Sequence, residues 1–303
     1  MLLQRQNIPI WFLYITIFIH QILTALTFPI AKIGLNEFDS LIYAFFRFLI
    51  ATVSYLPILI YLEFRNRMPP KDHLRLFIIG LILIPFNQVL FLVGQSLTSA
   101  GHAALLFATV PIFIYILAII FLGERPSTRR TVGILIAAVG VYYILAGGKA
   151  RFGMEYLLGD IIVLVAVIAW AAATVLMKPL AMKYGAFRVT GLALSYGSFV
   201  YFPYGIYRAV TGEYGGITTA GWLSVLYLAL VVSVLCYFLW YWILKYMEAS
   251  RAAVFQNIQP VIASAVAAVM LSEPIGTNFI LGGIIVIFGV ILTEIKNGPK
   301  HFI

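Results

Sequence analysis

Residues 99–124 read SAGHAALLFATVPIFIYILAIIFLGE, and residues 248–273 read EASRAAVFQNIQPVIASAVAAVMLSE. Laid side by side at an offset of 149, they place Ala100, Ala103, Ala104, Pro111, Leu122 and Glu124 on Ala249, Ala252, Ala253, Pro260, Leu271 and Glu273. The register continues without a gap through Gly133, Gly140 and Val141 onto Gly282, Gly289 and Val290. Nearer the start of each half an offset of 146 pairs Lys32, Pro57 and Tyr61 with Lys178, Pro203 and Tyr207, so the second copy carries about three extra residues before its third helix. A chain that repeats itself at half its length holds two copies of one structural unit.

What each unit is made of follows from its solvent. Of the 303 residues 63% are hydrophobic and only 10% are charged, with a mean hydropathy of +1.02. A soluble domain is about 25% charged. Apolar runs fall at 11–33, 40–62, 74–95, 99–122, 129–147, 157–180, 187–208, 221–245, 250–271 and 277–295, each close to the about 20 residues that cross a hydrocarbon core. The expected fold is therefore all-α and integral to the membrane, with ten transmembrane helices, five per unit. The units are 1–147 and 157–303, joined by a Gly- and charge-rich linker at 148–156. The first run is too long for a secretory signal and no small-residue cleavage site closes it, so it is expected to be a span.

Orientation follows from basic residues, which are retained on the cytoplasmic side. With the N-terminus inside, the cytoplasmic segments hold 15 Lys and Arg and the opposite segments hold 4: Lys32, Lys149, Arg151 and Arg208. Arg47 stands alone inside a span. Both termini are expected to be cytoplasmic, in a multi-pass protein of the cell inner membrane. Because five is odd, the second unit enters the membrane from the other side, which makes the repeats inverted. The formal charge of +9 is spread over short loops, so it speaks for topology and not for nucleic acid. One cysteine, Cys236, allows no intramolecular disulfide, and no metal or cofactor motif is present.

On these residues the chain resembles the drug/metabolite transporter superfamily, specifically its ten-helix exporters built from two EamA-type repeats. The stretches that carry the resemblance are Ser99-Ala100 through Pro111 to Leu122-Gly123-Glu124, its copy from Ala249-Ser250 through Pro260 to Leu271-Ser272-Glu273, and Arg47-Phe48-Leu49-Ile50-Ala51. The resemblance implies export of amino acids, drugs or small metabolites through a central cavity lined by helices 1, 3, 4, 6, 8 and 9, with helices 5 and 10 outside. The chain departs from it in helix one, where Thr24 stands at the position matching Trp170 and a Trp is common.

Polar groups facing lipid are costly, so mid-span polar residues mark an inner path or a partner helix. In helix one these are His20, Gln21, Thr24 and Thr27, and in helix three Asn87 and Gln88, with Phe91 one turn on. Pro111 and Pro260 free the carbonyls of Phe107 and Gln256, as a helix kink that serves the bundle or as part of a binding region. Around Pro260, Gln256, Asn257 and Gln259 form a polar group whose first-half counterparts are Phe107, Ala108 and Val110. That asymmetry points to substrate recognition. Trp170, Tyr237, Trp240 and Tyr241 lie away from the ends of their runs, as a cavity wall or as core.

Arg47 is expected to anchor structure or to snorkel toward the outer interface, with ligand binding as the alternative, and Glu124 and Glu273 to fix helix ends or gate. With no Asp or Glu at mid-depth, His20 is the deep group available to a proton, should protons be coupled. The sequence thus predicts a secondary transporter, exporting a small neutral or zwitterionic metabolite such as an amino acid by alternating access. A multidrug or other metabolite carrier of the same superfamily, an intramembrane lipid enzyme and a scramblase are the alternatives. Its partners are the small-molecule substrate and membrane lipids. Monomer and homodimer remain open.

Overall fold

The computed structural model describes residues 8–98, 103, 106–147, 156–271 and 277–294. These form helices and connecting turns, with no strand among the described residues. We number the helices α1 Ile10–Leu35, α2 Ser40–Arg65, α3 Pro70–Leu97, α4 Val110–Leu122, α5 Thr128–Gly147, α6 Leu157–Tyr184, α7 Ala186–Thr211, α8 Thr219–Ile243 and α10 Thr277–Glu294. Between the last two, α9 is made of Ala249–Val254 and Ile258–Leu271 joined by a 3-10 turn at Phe255–Asn257. Five of them (α1, α2, α3, α6 and α8) are long and apolar enough to cross a membrane by length and composition. Glu273, His102, the 148–155 part of the linker and both chain ends lie outside the described residues.

Corresponding helices begin where the repeat places them: α2 and α7 start at Ser40 and Ala186, and α5 and α10 at Thr128 and Thr277. Their packing is reciprocal. α1 lies against α8 and α9, while α6 lies against α3 and α4. α2 packs on α7, and α5 makes its main contact with α10. α2 and α7 run antiparallel, since Glu63 at the end of α2 pairs with Arg188 at the start of α7, and Asp39 at the start of α2 pairs with Arg208 at the end of α7.

Glycine makes the α5–α10 crossing possible. A Cβ on Gly140 would sit 2.8 Å from the Gly282 carbonyl oxygen and 2.7 Å from the Val286 nitrogen, and one on Gly133 would sit 2.7 Å from the Gly289 oxygen. Only backbone without side chains fits there, as at small-residue contacts between membrane helices. Outward faces carry large apolar side chains, Phe64, Phe199 and Val210 among them, as a lipid solvent requires.

Both α3 and α8 widen to a π-helix midway, at Ile82–Val89 and Tyr227–Cys236. In α3 the cause is legible, because Pro85 lacks the N–H that a regular turn needs. In α8 the carbonyl of Val234 accepts a 2.9 Å bond from the Tyr55 hydroxyl, which ties the bulge to α2. Such bulges concentrate at functional sites, and these two flank the bundle centre.

Candidate functional site

A cavity of about 70 Å³ lies where the two halves meet. From α1 come His20, Thr24, Thr27 and Phe28; from α3, Gln88 and Phe91; Phe107 stands just before α4. The second half brings Trp170 from α6, Val232 and Tyr237 from α8, and Gln256 and Gln259 from α9. These are the six helices the resemblance implied, with one addition, Arg47 from α2.

The walls divide by chemistry. Phe28, Phe91 and Phe107 form an apolar triangle with centroids 4.9 to 6.1 Å apart. A second aromatic group is built on α6 and α8: Trp170 lies 5.4 Å from Tyr237, and Trp240 stacks on His20 at 5.4 Å. Trp240 is fixed in turn by its indole N–H, which donates to Thr174 Oγ1 at 3.3 Å. Between these walls are the amides. Gln259 Nε2 donates to Gln21 Oε1 at 2.7 Å, a bond that joins α9 to α1 across the boundary of the halves. Gln88 donates to Asn87, whose own amide donates to the Ala166 carbonyl at 2.7 Å.

Several buried polar atoms around the cavity have no hydrogen-bond partner among the described residues: His20 Nδ1, Gln21 Nε2, Thr27 Oγ1, Arg47 Nη1 and both amide atoms of Asn257. Native interiors leave few such groups unpaired. Those on His20, Thr27 and Arg47 line the hollow and are where a solute or water would be held.

Of the residues the sequence singled out, His20, Thr24, Gln88, Phe91, Phe107, Trp170, Tyr237, Gln256 and Gln259 meet at the cavity. Gln21, Asn87 and Trp240 stand one layer behind and hold those that do. Tyr241 and Asn257 are fully buried and do not line it. Pro111 and Pro260 each fall in the first turn of a helix that restarts after a break, at Thr109 and at the Phe255–Asn257 turn. Arg47 does not snorkel: it is 1% exposed, donates from Nε to Ser233 Oγ at 3.0 Å and reaches the cavity. Phe28 and Val232 line it as well, and neither carried a chemical signal in the sequence.

One end of the bundle is latched. Gly123, at φ +66, ends α4 in the left-handed conformation that glycine adopts freely and turns the chain into Glu124. The Glu124 carboxylate accepts from the backbone nitrogens of Ala249 at 2.6 Å and Ser250 at 3.2 Å, and from the Ser250 hydroxyl. It thereby caps the N-terminus of α9 from another helix, where an anion is favoured. Lys178 Nζ lies 3.5 Å away and Arg130 3.9 Å, and Arg130 also pairs with Glu248. At the same end Asp72 joins Lys183, and Glu63 joins Arg188 and His73. The opposite end is held more lightly, by Asp39 to Arg208, Glu37 to Thr218 and Lys32 to the Gln95 carbonyl.

A model of the EamA-like transporter family matches residues 11–146 and again 157–295. Relatives include YetK, an uncharacterized transporter of Bacillus subtilis strain 168, 30% identical over 83% of this chain and 77% of its own. An uncharacterized transporter of Archaeoglobus fulgidus is 29% identical over 90% of this chain and 95% of its own. A Streptantibioticus cattleyicolor protein described as a probable terminal-alkyne amino-acid exporter is 27% identical over 93% and 92%. A solved crystal structure with 16% identity superposes at a TM-score of 0.72 over 91% of this chain and 94% of that one, which shows the fold alone. With apolar helices packed in two reciprocal halves, a hollow at their seam, and a family match covering both halves, the chain belongs to the EamA-like transporter family and is a membrane transporter, not an enzyme.

Proposed function

We propose that the protein is a secondary carrier of the cell inner membrane that exports a small, partly apolar metabolite of the amino-acid kind by alternating access. It crosses ten times with both termini cytoplasmic, as units 1–147 and 157–303 linked by 148–156 and inverted relative to each other. The observation that carries this is the cavity: both halves build it, and it sets unsatisfied buried polar groups against aromatic walls. The antiparallel pairing of α2 with α7 supports inversion. The basic residues at the latched end support its cytoplasmic placement.

In this reading the Glu124 latch is the closed inner gate. Opening it separates the α4–α5 turn from the start of α9 while α5 and α10 stay packed at their glycines. The substrate-facing set is His20, Thr24, Gln88, Phe91, Phe107, Trp170, Tyr237, Gln256 and Gln259, supported by Gln21, Asn87, Trp240, Tyr241 and Asn257. The named relative that exports an amino acid favours that class. Counterflow tests it: proteoliposomes preloaded with unlabelled amino acids should take up labelled leucine in exchange, saturably. Flux that never saturates, or none with any of a broad metabolite set, refutes the carrier reading.

A further inference from the structure

We infer that the cavity recognises a carboxylate on an apolar solute, with the Arg47 guanidinium as its counter-charge. The inference rests on the carrier reading above and names the substrate class of that same cavity. Arg47 is 1% exposed, and its described neighbours give it hydroxyls and a ring face but no anion. Nε donates to Ser233, the guanidinium is also hydrogen-bonded to the Tyr237 hydroxyl, its carbon sits 5.0 Å from the Phe48 ring centroid, the Tyr43 hydroxyl is a further neighbour, and Nη1 has no partner among the described residues. A buried charge without a counter-charge is costly. The side chain lines the cavity, so a bound solute can supply what the fold withholds.

The second unit does without this cation. At the equivalent position of the second unit stands Ala193, and α7 packs on α3 there through backbone, with a Gly80 Cβ falling 2.4 Å from the Ala193 carbonyl oxygen. The guanidinium presents a planar fork that matches a carboxylate with two parallel bonds. Across the hollow, the Phe28, Phe91 and Phe107 rings and the Trp170 face suit an alkyl or aryl body. Among the described residues no Asp or Glu lines the cavity, so an ammonium would find amide and hydroxyl oxygens and rings but no counter-charge. The expected order of affinity is therefore acid, then zwitterion, then neutral amide.

The test uses three solutes of one skeleton, 4-methylpentanoate, leucine and 4-methylpentanamide, with binding measured on the purified full chain and counterflow in liposomes. Wild type should bind the acid about 10- to 100-fold more tightly than the amide, the range for a hydrogen bond to a charged group. Arg47→Gln should bring that ratio near one while the amide's own affinity is kept. Ser233→Ala keeps the charge and should keep the preference. Should Arg47→Gln melt, Arg47→Lys reports instead, with a ratio reduced at least about threefold by loss of the fork. Equal binding of acid and amide by wild type, an unchanged ratio in the Arg47 variants, or displacement of the acid by chloride at equal concentration overturns the carboxylate site. A protein that moves none of the three, nor any other metabolite, overturns the carrier reading instead.

Discussion

Glu124→Gln is the perturbation whose effect is best determined by the structure. The carboxylate side chain is 6% exposed and receives two backbone N–H groups, one hydroxyl and two cations. Neutral glutamine keeps one oxygen for one of the amides, turns an N–H₂ donor toward the other, and leaves Lys178 and Arg130 with Glu248 as their remaining counter-charge. Hydrogen bonds to charged groups contribute about 1.5–3 kcal/mol each, and unpairing a buried ion costs about 3–5 kcal/mol. With the retained acceptor, and with Glu248 still serving Arg130, the net loss should be about 2–4 kcal/mol. At about 1.4 kcal/mol per tenfold, the open population of this end rises about 30- to 1000-fold. The amides of Ala249 and Ser250 have no acceptor within α9, because a helix N-terminus leaves its first donors free. Hydrogen exchange of the peptide covering the start of α9 therefore reads the latch directly, and its rate should rise by that factor while α5 and α10 stay protected. Exchange within about threefold of wild type would refute the latch.

Gly140→Ala and Gly133→Ala should each lower stability by about 1–3 kcal/mol, since a methyl group there meets backbone that cannot yield; thermal melting in detergent checks this against Gly215→Ala, whose added methyl meets nothing within 4 Å. Tyr55→Phe removes the 2.9 Å bond to the Val234 carbonyl at the α8 bulge and should cost about 1–3 kcal/mol, with a fall in transport as well if the bulge positions Tyr237. Gln259→Leu breaks the 2.7 Å bond to Gln21 across the halves and leaves the buried Gln21 oxygen without its donor, so it should cost about 1–3 kcal/mol of stability and weaken leucine binding by about tenfold. An unaltered affinity would remove Gln259 from the site.

The fold was legible because membrane helices are written in run length and repeated at a fixed offset. Ser40 and Ala186 open corresponding helices, as the Lys32–Lys178 register predicts. The polar half of the cavity was legible too, since Gln88 and Gln256 have few reasons to sit at mid-depth. What could not be read was rotation about each helix axis. Asn87 and Gln88 are adjacent and lie in different layers. Arg47 sits near one end of its run, and only packing decides whether such a side chain climbs to the interface or turns inward. Val232 and Tyr237 share the cavity at a spacing of five, which the widened turn of α8 allows and a regular helical period does not. Glu124 reaches the start of α9, 125 residues onward, and no local pattern records that contact.

Sidedness of two equivalent positions tests the central claim most directly. Arg65 and Thr211 end α2 and α7 at matching places in the repeat, both exposed, and the single native cysteine, Cys236, is buried. Cells carrying Thr211→Cys should react with a membrane-impermeant maleimide while intact, and those carrying Arg65→Cys only after permeabilisation. Labelling of both from the same face would contradict two inverted units around a shared cavity.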